Sequence, residues 1–130
     1  MGKVVDVGNK LAARRLAHIK LDASEGRTRR IRFTINETFV AVENYAFLSS
    51  FFYECNDAGQ EALSLVFSGI RVLLVGRNLR ALLDAIQDEG VRAIEPYNPE
   101  RHEEPKEGAP VVEQCFYQKA DEVIAQAAAD

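Results

Sequence analysis

Two segments near the start of the chain alternate between apolar and polar residues. Apolar side chains occupy every second position from Ala17 to Leu21 and again from Ile31 to Ile35. Because successive side chains of a β-strand point to opposite faces, each segment is typical of a half-buried strand with one apolar and one polar face. We therefore predict an antiparallel hairpin over residues 16–35 with one core face and one basic face.

The middle of the chain predicts a second hairpin and two helices. In the hairpin over 62–75, "ALSLVF" and "IRVLLV" are joined by a tight Ser-Gly pair. A helix is predicted near 45–55, where the aromatic residues of "YAFLSSFFYEC" fit a helical stripe, with a strand as the alternative because aromatic residues also favour strands. Another helix is predicted over 78–89, where leucines recur at helical spacing. Asn78 is placed to cap this second helix and Gly90 to end it.

These elements predict an α+β fold in which two helices cover one face of a mainly antiparallel sheet. "FVAVEN" and "VRAIEPY" add short strands, and the C-terminal segment begins as a strand near Val112 and can finish as a helix from about Lys119. A chain of 130 residues that is 47% hydrophobic can bury one core, so residues 1–130 are expected to form a single domain. Residues 98–110, rich in Pro and Glu, are expected to be an exposed acidic loop.

The charges are unevenly distributed along the chain. Residues 1–36 hold nine Lys or Arg and three Asp or Glu, whereas the other 94 hold 7 basic and 17 acidic residues. This division favours a basic surface that contacts a polyanion or an acidic protein surface, in the same molecule or in another copy. The outer face of the first hairpin supplies the candidate contact residues Lys20, Arg30 and Arg32, together with His18. Arg14, Arg15 and Arg27 are candidate residues that would extend this basic patch.

The sequence carries no recognisable motif for a cofactor, a metal or catalysis. "VLLVGRN" places a strand, a glycine and a helix in the order of a phosphate-binding turn, but one glycine is fewer than known nucleotide motifs require. Cys55 and Cys115 lack metal-ligand spacing, and "HEE" at 102–104 lies in a loop rather than at helical ligand spacing. We expect no cofactor and reduced thiols. With no apolar run long enough for a membrane span, we also expect a cytoplasmic location away from membranes.

Three classes of function are compatible with these patterns. We expect a non-catalytic protein-interaction or regulatory module that self-associates as a homo-oligomer or binds a protein partner. The first alternative is a nucleic-acid-binding protein that uses the basic hairpin face, although that face lacks the aromatic residues that stack on bases, because the parity of Phe33 places it in the core. The second alternative is an enzyme of a type that these motifs do not identify.

The single glycine at residue 76 leads to a prediction about nucleotides. ATP, GTP and NAD at millimolar concentration should leave the melting temperature of the protein unchanged, because one glycine does not build a phosphate-binding loop. A ligand present at 100 times its dissociation constant would add about 2.7 kcal/mol to the free energy of unfolding. Thermal melting with each nucleotide is the measurement, and a rise of several degrees with any of them would contradict the prediction.

Overall fold

The computed structural model describes residues 17–21 and 28–119 of the chain. Within these residues lie eight strands, one short α-helix and two 3-10 turns. The strands are β1 (Ile19–Leu21), β2 (Arg30–Asn36), β3 (Phe39–Asn44), β4 (Leu48–Cys55), β5 (Glu61–Phe67), β6 (Ile70–Arg77), β7 (Val91–Ile94) and β8 (Val111–Lys119). The 3-10 turns are Tyr45–Phe47 and Leu79–Ala81, and the α-helix α1 is Leu82–Gln87.

The strands form two four-stranded sheets. The first sheet has the order β1-β7-β2-β3, and the second has the order β4-β5-β6-β8. Neighbouring strands are antiparallel throughout, except for β2 and β7, which run parallel. The predicted mainly antiparallel pairing is therefore confirmed, while the helical content is much lower than expected and the described part of the fold is mainly β.

The two sheets pack face to face around one hydrophobic core. Phe33 of β2 meets Phe67 of β5 edge to face, with 6.0 Å between the ring centroids. Ile31 on the first sheet and Leu65 and Leu74 on the second are completely buried in the same cluster. The prediction that two helices cover the sheet is wrong, because the second sheet covers the first, and α1 adds only a few side chains to the core.

Several predicted strands are confirmed. The hairpin predicted over 62–75 is formed by β5 and β6, which pair from Glu61 opposite Gly76 to Phe67 opposite Ile70. Gly69 supplies the positive φ of 80° in the connecting turn. "FVAVEN" and "VRAIEPY" contain β3 and β7, and the C-terminal strand begins at Val111. The predicted C-terminal helix lies outside the described residues.

The hairpin predicted over 16–35 is wrong, because β1 and β2 do not pair with each other. β7 lies between them, antiparallel to β1 and parallel to β2. Ala93 of β7 is opposite both Lys20 of β1 and Arg32 of β2. The period-two pattern identified the faces of β2 correctly but not those at β1, where Leu21 is 58% exposed and His18 is buried. It also carries no information about which strands are neighbours.

The helix predicted near 45–55 is also wrong. A 3-10 turn occupies Tyr45–Phe47, and Leu48–Cys55 form β4. The Tyr45 hydroxyl donates a buried hydrogen bond of 2.7 Å to the Val91 carbonyl, which fixes the turn to the first sheet. Phe51 packs against the core while Phe52 faces outward, as expected for a strand. Aromatic residues favour strands, and this preference prevails over their helical spacing.

The helix predicted over 78–89 is present in a shorter form. A 3-10 turn leads into α1, and Asn78 precedes them with a left-handed φ of 55° and no side-chain capping bond. The helix ends at Gln87, and Glu89 rather than Gly90 adopts the positive φ of 57° that follows it.

The backbone N–H groups at the start of this helical segment are satisfied by Glu61. Its carboxylate accepts hydrogen bonds from the N–H groups of Asn78 at 2.7 Å and Leu79 at 3.1 Å. Partial burial opposes ionisation of Glu61, but these bonds and one from the Tyr53 hydroxyl outweigh it and lower its pKa. An internal carboxylate therefore occupies the position that a bound phosphate would need.

Gly76 is required by close backbone approach, which leads to a prediction about stability. A Cβ atom at residue 76 would overlap the carbonyl oxygen of Val111 on β8. Gly76→Ala should therefore lower the free energy of unfolding by at least about 2 kcal/mol.

Gly90→Ala is the matched control, because its new Cβ would lie 3.5 Å from the nearest atom, the Ala85 carbonyl oxygen. This change should alter the free energy of unfolding by less than about 1 kcal/mol. Urea denaturation of both variants measures the difference. Equal stability of the two variants would show that β8 does not constrain residue 76.

Candidate functional site

The structure gathers three of the six predicted contact residues on the outer face of the first sheet. Arg14, Arg15 and Arg27 lie outside the described residues. Lys20, Arg30 and Arg32 line one shallow depression of about 420 Å³. They converge although the predicted hairpin is wrong, because β1 and β2 flank β7 on opposite sides and present the same face.

A fourth cation, Arg92, joins this depression and was missed in the sequence. Lys20 is opposite Ala93 and Leu21 is opposite Val91, so Arg92 has no partner on β1 and forms a β-bulge. A bulge redirects a side chain that strict alternation would place on the other face. Arg92 is exposed and lines the depression, whereas Val91 is buried in the core. We call Lys20, Arg30, Arg32 and Arg92 the basic face.

The basic face forms no ion pair among the described residues. No carboxylate is among the described residues that line the depression; the remaining lining residues are Thr28, Val42 and Ala93. Within residues 17–21 and 28–119, the ion pairs join Arg77 to Glu113 and Arg101 to Glu95 instead. Lys20 contributes electrostatically to lowering the pKa of Glu95. No two of these cations are direct cross-strand partners, because Lys20 and Arg32 both lie opposite Ala93. Their positive charges therefore add to one local potential that attracts anions.

His18 was expected on the basic face but is buried instead. It is 5% exposed and lies beside His102, which is 3% exposed, with 5.9 Å between the ring centroids. Tyr97 packs edge to face on His18 at 5.4 Å. We call His18, Glu95, Tyr97 and His102 the histidine cluster. His102 is buried, whereas Glu103 and Glu104 beside it are exposed, so these three consecutive residues do not face one site.

The hydrogen bonds of the histidine cluster define the protonation state of both rings. His102 Nδ1 accepts the Asn98 N–H at 2.9 Å, so its Nε2 carries the hydrogen and donates to Glu95 at 2.7 Å. His18 Nε2 accepts the Val112 N–H at 3.1 Å, which requires an unprotonated nitrogen. The cluster thus joins the chain at β1 to β8 through neutral imidazoles and has a structural role.

A cleft of about 450 Å³ opens beside the histidine cluster, between β1, α1 and the loop over 103–110. Its walls are mainly Ala, Leu, Ile and Pro side chains, with His18, Glu103, Glu104 and Lys106 as the polar residues. No Ser, Thr, Cys or Tyr is among the described residues that line it. Because the Nε2 atom of His18 is already bonded to Val112, the cleft does not present a nucleophile paired with a free base.

The outer face of the second sheet carries a central stripe of large apolar side chains between two mixed rows. One row of cross-strand neighbours runs across all four strands and consists of Phe52, Ser64, Leu73 and Phe116. Phe52 and Phe116 are 42% and 43% exposed, and Ser64 is buried beneath the larger side chains. The rows on either side combine half-buried Ala62, Val66 and Val75 with the polar residues Ser50, Gln114 and Gln118. We call this surface the apolar face.

Arg71 lies within the apolar face with an unsatisfied donor. Its Nη2 donates to the Ser64 hydroxyl at 3.1 Å, but its buried Nε finds no hydrogen-bond acceptor among the described residues. Glu54 lies in the row on the other side of Phe52. The apolar face therefore has a cation towards one end and a carboxylate towards the other.

Comparisons with protein-family models, curated proteins and solved structures found no match for this chain. In the part of the chain that the structure describes, no helix has the length and apolar character needed to cross a membrane. Over the same residues, no three His, Cys, Asp or Glu side chains are grouped so that they could hold a metal ion. Both cysteines are free thiols; Cys55 is exposed and Cys115 is buried, and burial raises the pKa of Cys115 to about 12.

The buried histidine leads to a prediction about pH. Burial lowers the pKa of His18 from 6.5 to about 4; His102 acts in the same direction and Glu95 opposes both. Between these pH values the unfolded chain binds a proton that the folded protein does not. The free energy of unfolding should therefore fall by about 3 kcal/mol as the pH drops from about 6.5 to 4, and this loss should be absent above pH 6.5.

His18→Gln isolates this effect, because an amide oxygen can accept the Val112 N–H but does not titrate in this range. Urea denaturation of wild type and variant between about pH 4 and pH 8 gives both pH profiles. The wild type should lose about 3 kcal/mol more than the variant on acidification. Parallel profiles would mean that His18 does not control the acid sensitivity.

Proposed function

We propose that this protein is a non-catalytic interaction module that forms a homodimer through the apolar face. The observation that carries the proposal is the row of Phe52, Leu73 and Phe116, in which two large aromatic side chains on the two edge strands remain more than two-fifths exposed. Single exposed apolar residues are ordinary, but large apolar side chains aligned on three of the four strands of one sheet are typical of an interaction surface.

The shape of this surface suits a second sheet. Two twisted sheets pack well face to face, and the inner faces of this same domain are already packed in this way. In a two-fold dimer with its axis along the strands, β4 of one copy would lie over β8 of the other. Phe52 would then contact Phe116 of the second copy, giving two equivalent aromatic contacts in one interface.

The charges on the apolar face favour a second copy over an unrelated apolar partner. Arg71 has a buried Nε without an acceptor among the described residues, and Glu54 lies in the row at the other end of the face. A two-fold axis across the strands would bring the Arg71 end of one copy over the Glu54 end of the other. The two axes are alternative arrangements: the axis along the strands pairs the aromatic rings, and the axis across the strands brings the two oppositely charged ends together without pairing Arg71 directly with Glu54.

The double substitution Phe52→Gln/Phe116→Gln tests this proposal. Each ring exposes roughly 80 Å² that the dimer would bury, at about 25 cal/mol per Å², so the dimer dissociation constant should rise at least about 100-fold. Sedimentation equilibrium over a range of protein concentrations measures the change, and circular dichroism shows whether the variant is folded.

Val40→Gln/Val42→Gln is the matched control, because both valines are about half exposed on β3, at the outer face of the other sheet. This variant should dimerise like the wild type. If the wild-type protein is still monomeric at a concentration of about 100 μM, the apolar face is not a dimer interface. The same conclusion follows if both variants weaken the dimer equally. An apolar face that proves to bind an unrelated protein would equally overturn the homodimer.

A further inference from the structure

We propose that the basic face binds the phosphate backbone of a nucleic acid without reading its sequence. Four cations from three strands, Lys20, Arg30, Arg32 and Arg92, line one depression whose described lining holds no carboxylate. Guanidinium groups bind phosphate oxygens through paired hydrogen bonds, and three of the four cations are arginines.

The spacing of the cations suits a polymer rather than a single small anion. Arg30 and Arg32 are two residues apart on β2, so their positions are separated by about 6.8 Å along the strand. Lys20 and Arg92 extend the row across β7 to β1, perpendicular to that direction. Each cation can therefore contact a different phosphate of one strand of nucleic acid, and the contacts add.

The floor of the depression also fits this ligand. Ala93 is buried between the long side chains of its cross-strand neighbours Lys20 and Arg32, and Val42 is exposed beside them. These groups offer apolar contact to sugar carbons between the phosphates. No aromatic side chain is among the described lining residues, which excludes base stacking by those residues and leaves the backbone as the recognised part.

A nucleic acid is favoured over an anionic membrane by the shape of the surface. The four cations line a depression, and no Phe, Tyr or Leu side chain projects from its described lining to enter a bilayer. The glutamates of the loop over 98–110 are not part of the lining either, so the local charge is positive although the whole chain carries a net charge of −4.

Fluorescence anisotropy with labelled mixed-sequence DNA and RNA, single-stranded and duplex, tests the proposal at several salt concentrations. Four phosphate contacts predict a slope of log affinity against log salt of about −3 to −4. Arg30→Gln/Arg32→Gln should make that slope shallower by nearly two units and weaken binding at least about tenfold at low salt. Arg92→Gln should make the slope shallower by a little under one unit, which tests whether the residue at the bulge contacts a phosphate.

Two further variants make the result specific. Arg30→Lys/Arg32→Lys keeps both charges and should keep the wild-type salt slope, even if the affinity falls. Arg77→Gln/Arg80→Gln removes the same charge from two exposed arginines at the corner between β6 and α1, outside the depression. This control should retain the wild-type slope; if it loses binding and the Arg30/Arg32 variant does not, the anion site is at that corner and the proposal is wrong.

The remaining outcomes also decide the question. Absence of binding to every oligonucleotide at about 50 mM salt would overturn the proposal. Binding to phosphatidylserine vesicles but not to nucleic acid would assign the face to a membrane. If Arg30→Gln/Arg32→Gln dissociates the dimer and does not affect the nucleic-acid slope, the face binds the acidic surface of another copy.

This inference and the proposed homodimer fail independently, because the basic face and the apolar face are the outer faces of different sheets. Phe52→Gln/Phe116→Gln changes no charge, so it should leave the salt slope per protein chain unchanged. Arg30→Gln/Arg32→Gln should leave the sedimentation of the free protein unchanged. If both proposals hold, one dimer carries two nucleic-acid sites on opposite sides and can bridge two segments.

Discussion

Both outer surfaces of this protein depend on the packing of β2 against the second sheet. Phe33 meets Phe67 edge to face, and Ile31 is buried in the same cluster. Because side chains alternate along a strand, burying Ile31 and Phe33 forces Arg30 and Arg32 to the outside. The same rule acts on the second sheet, where burial of its core leucines turns Leu73 and its row outward. One core thus determines a cationic surface on one side and an apolar surface on the other.

The sequence predicted which face each strand residue occupies more reliably than which strands are neighbours. Period-two alternation placed Arg30 and Arg32 correctly, because burial of one face leaves a pattern in the chain. It could not place β7 between β1 and β2, because pairing depends on contacts between segments about 60 residues apart. Arg92 was missed for the same reason, because β7 was not expected beside β1 and β2; a bulge against β1 lets Arg92 share the outer face with Ala93.

Local signals failed where a distant polar group decided the structure. Asn78 looked like a helix cap, but the capping oxygens come from Glu61 on β5, which pairs opposite Gly76. His18 looked like a polar surface residue, but its ring accepts a hydrogen bond from Val112, 94 residues away. In both cases the partner that satisfies a backbone donor is remote in sequence, so no window of neighbouring residues contains the information.

The fold itself requires neither outer surface to have its present composition. The fully buried leucine, isoleucine and phenylalanine side chains lie between the sheets or beneath α1, so the core is complete without Phe52, Phe116 or the arginines. An outer face with mixed charges would avoid both the repulsion among neighbouring cations and the exposure of aromatic rings. Each surface therefore lowers the stability or solubility of the isolated chain, and a bound partner would remove that disadvantage. The core is complete without these two outer faces, whereas each face is unfavourable when no partner is bound. The function of the protein is therefore to be sought in what the two faces bind.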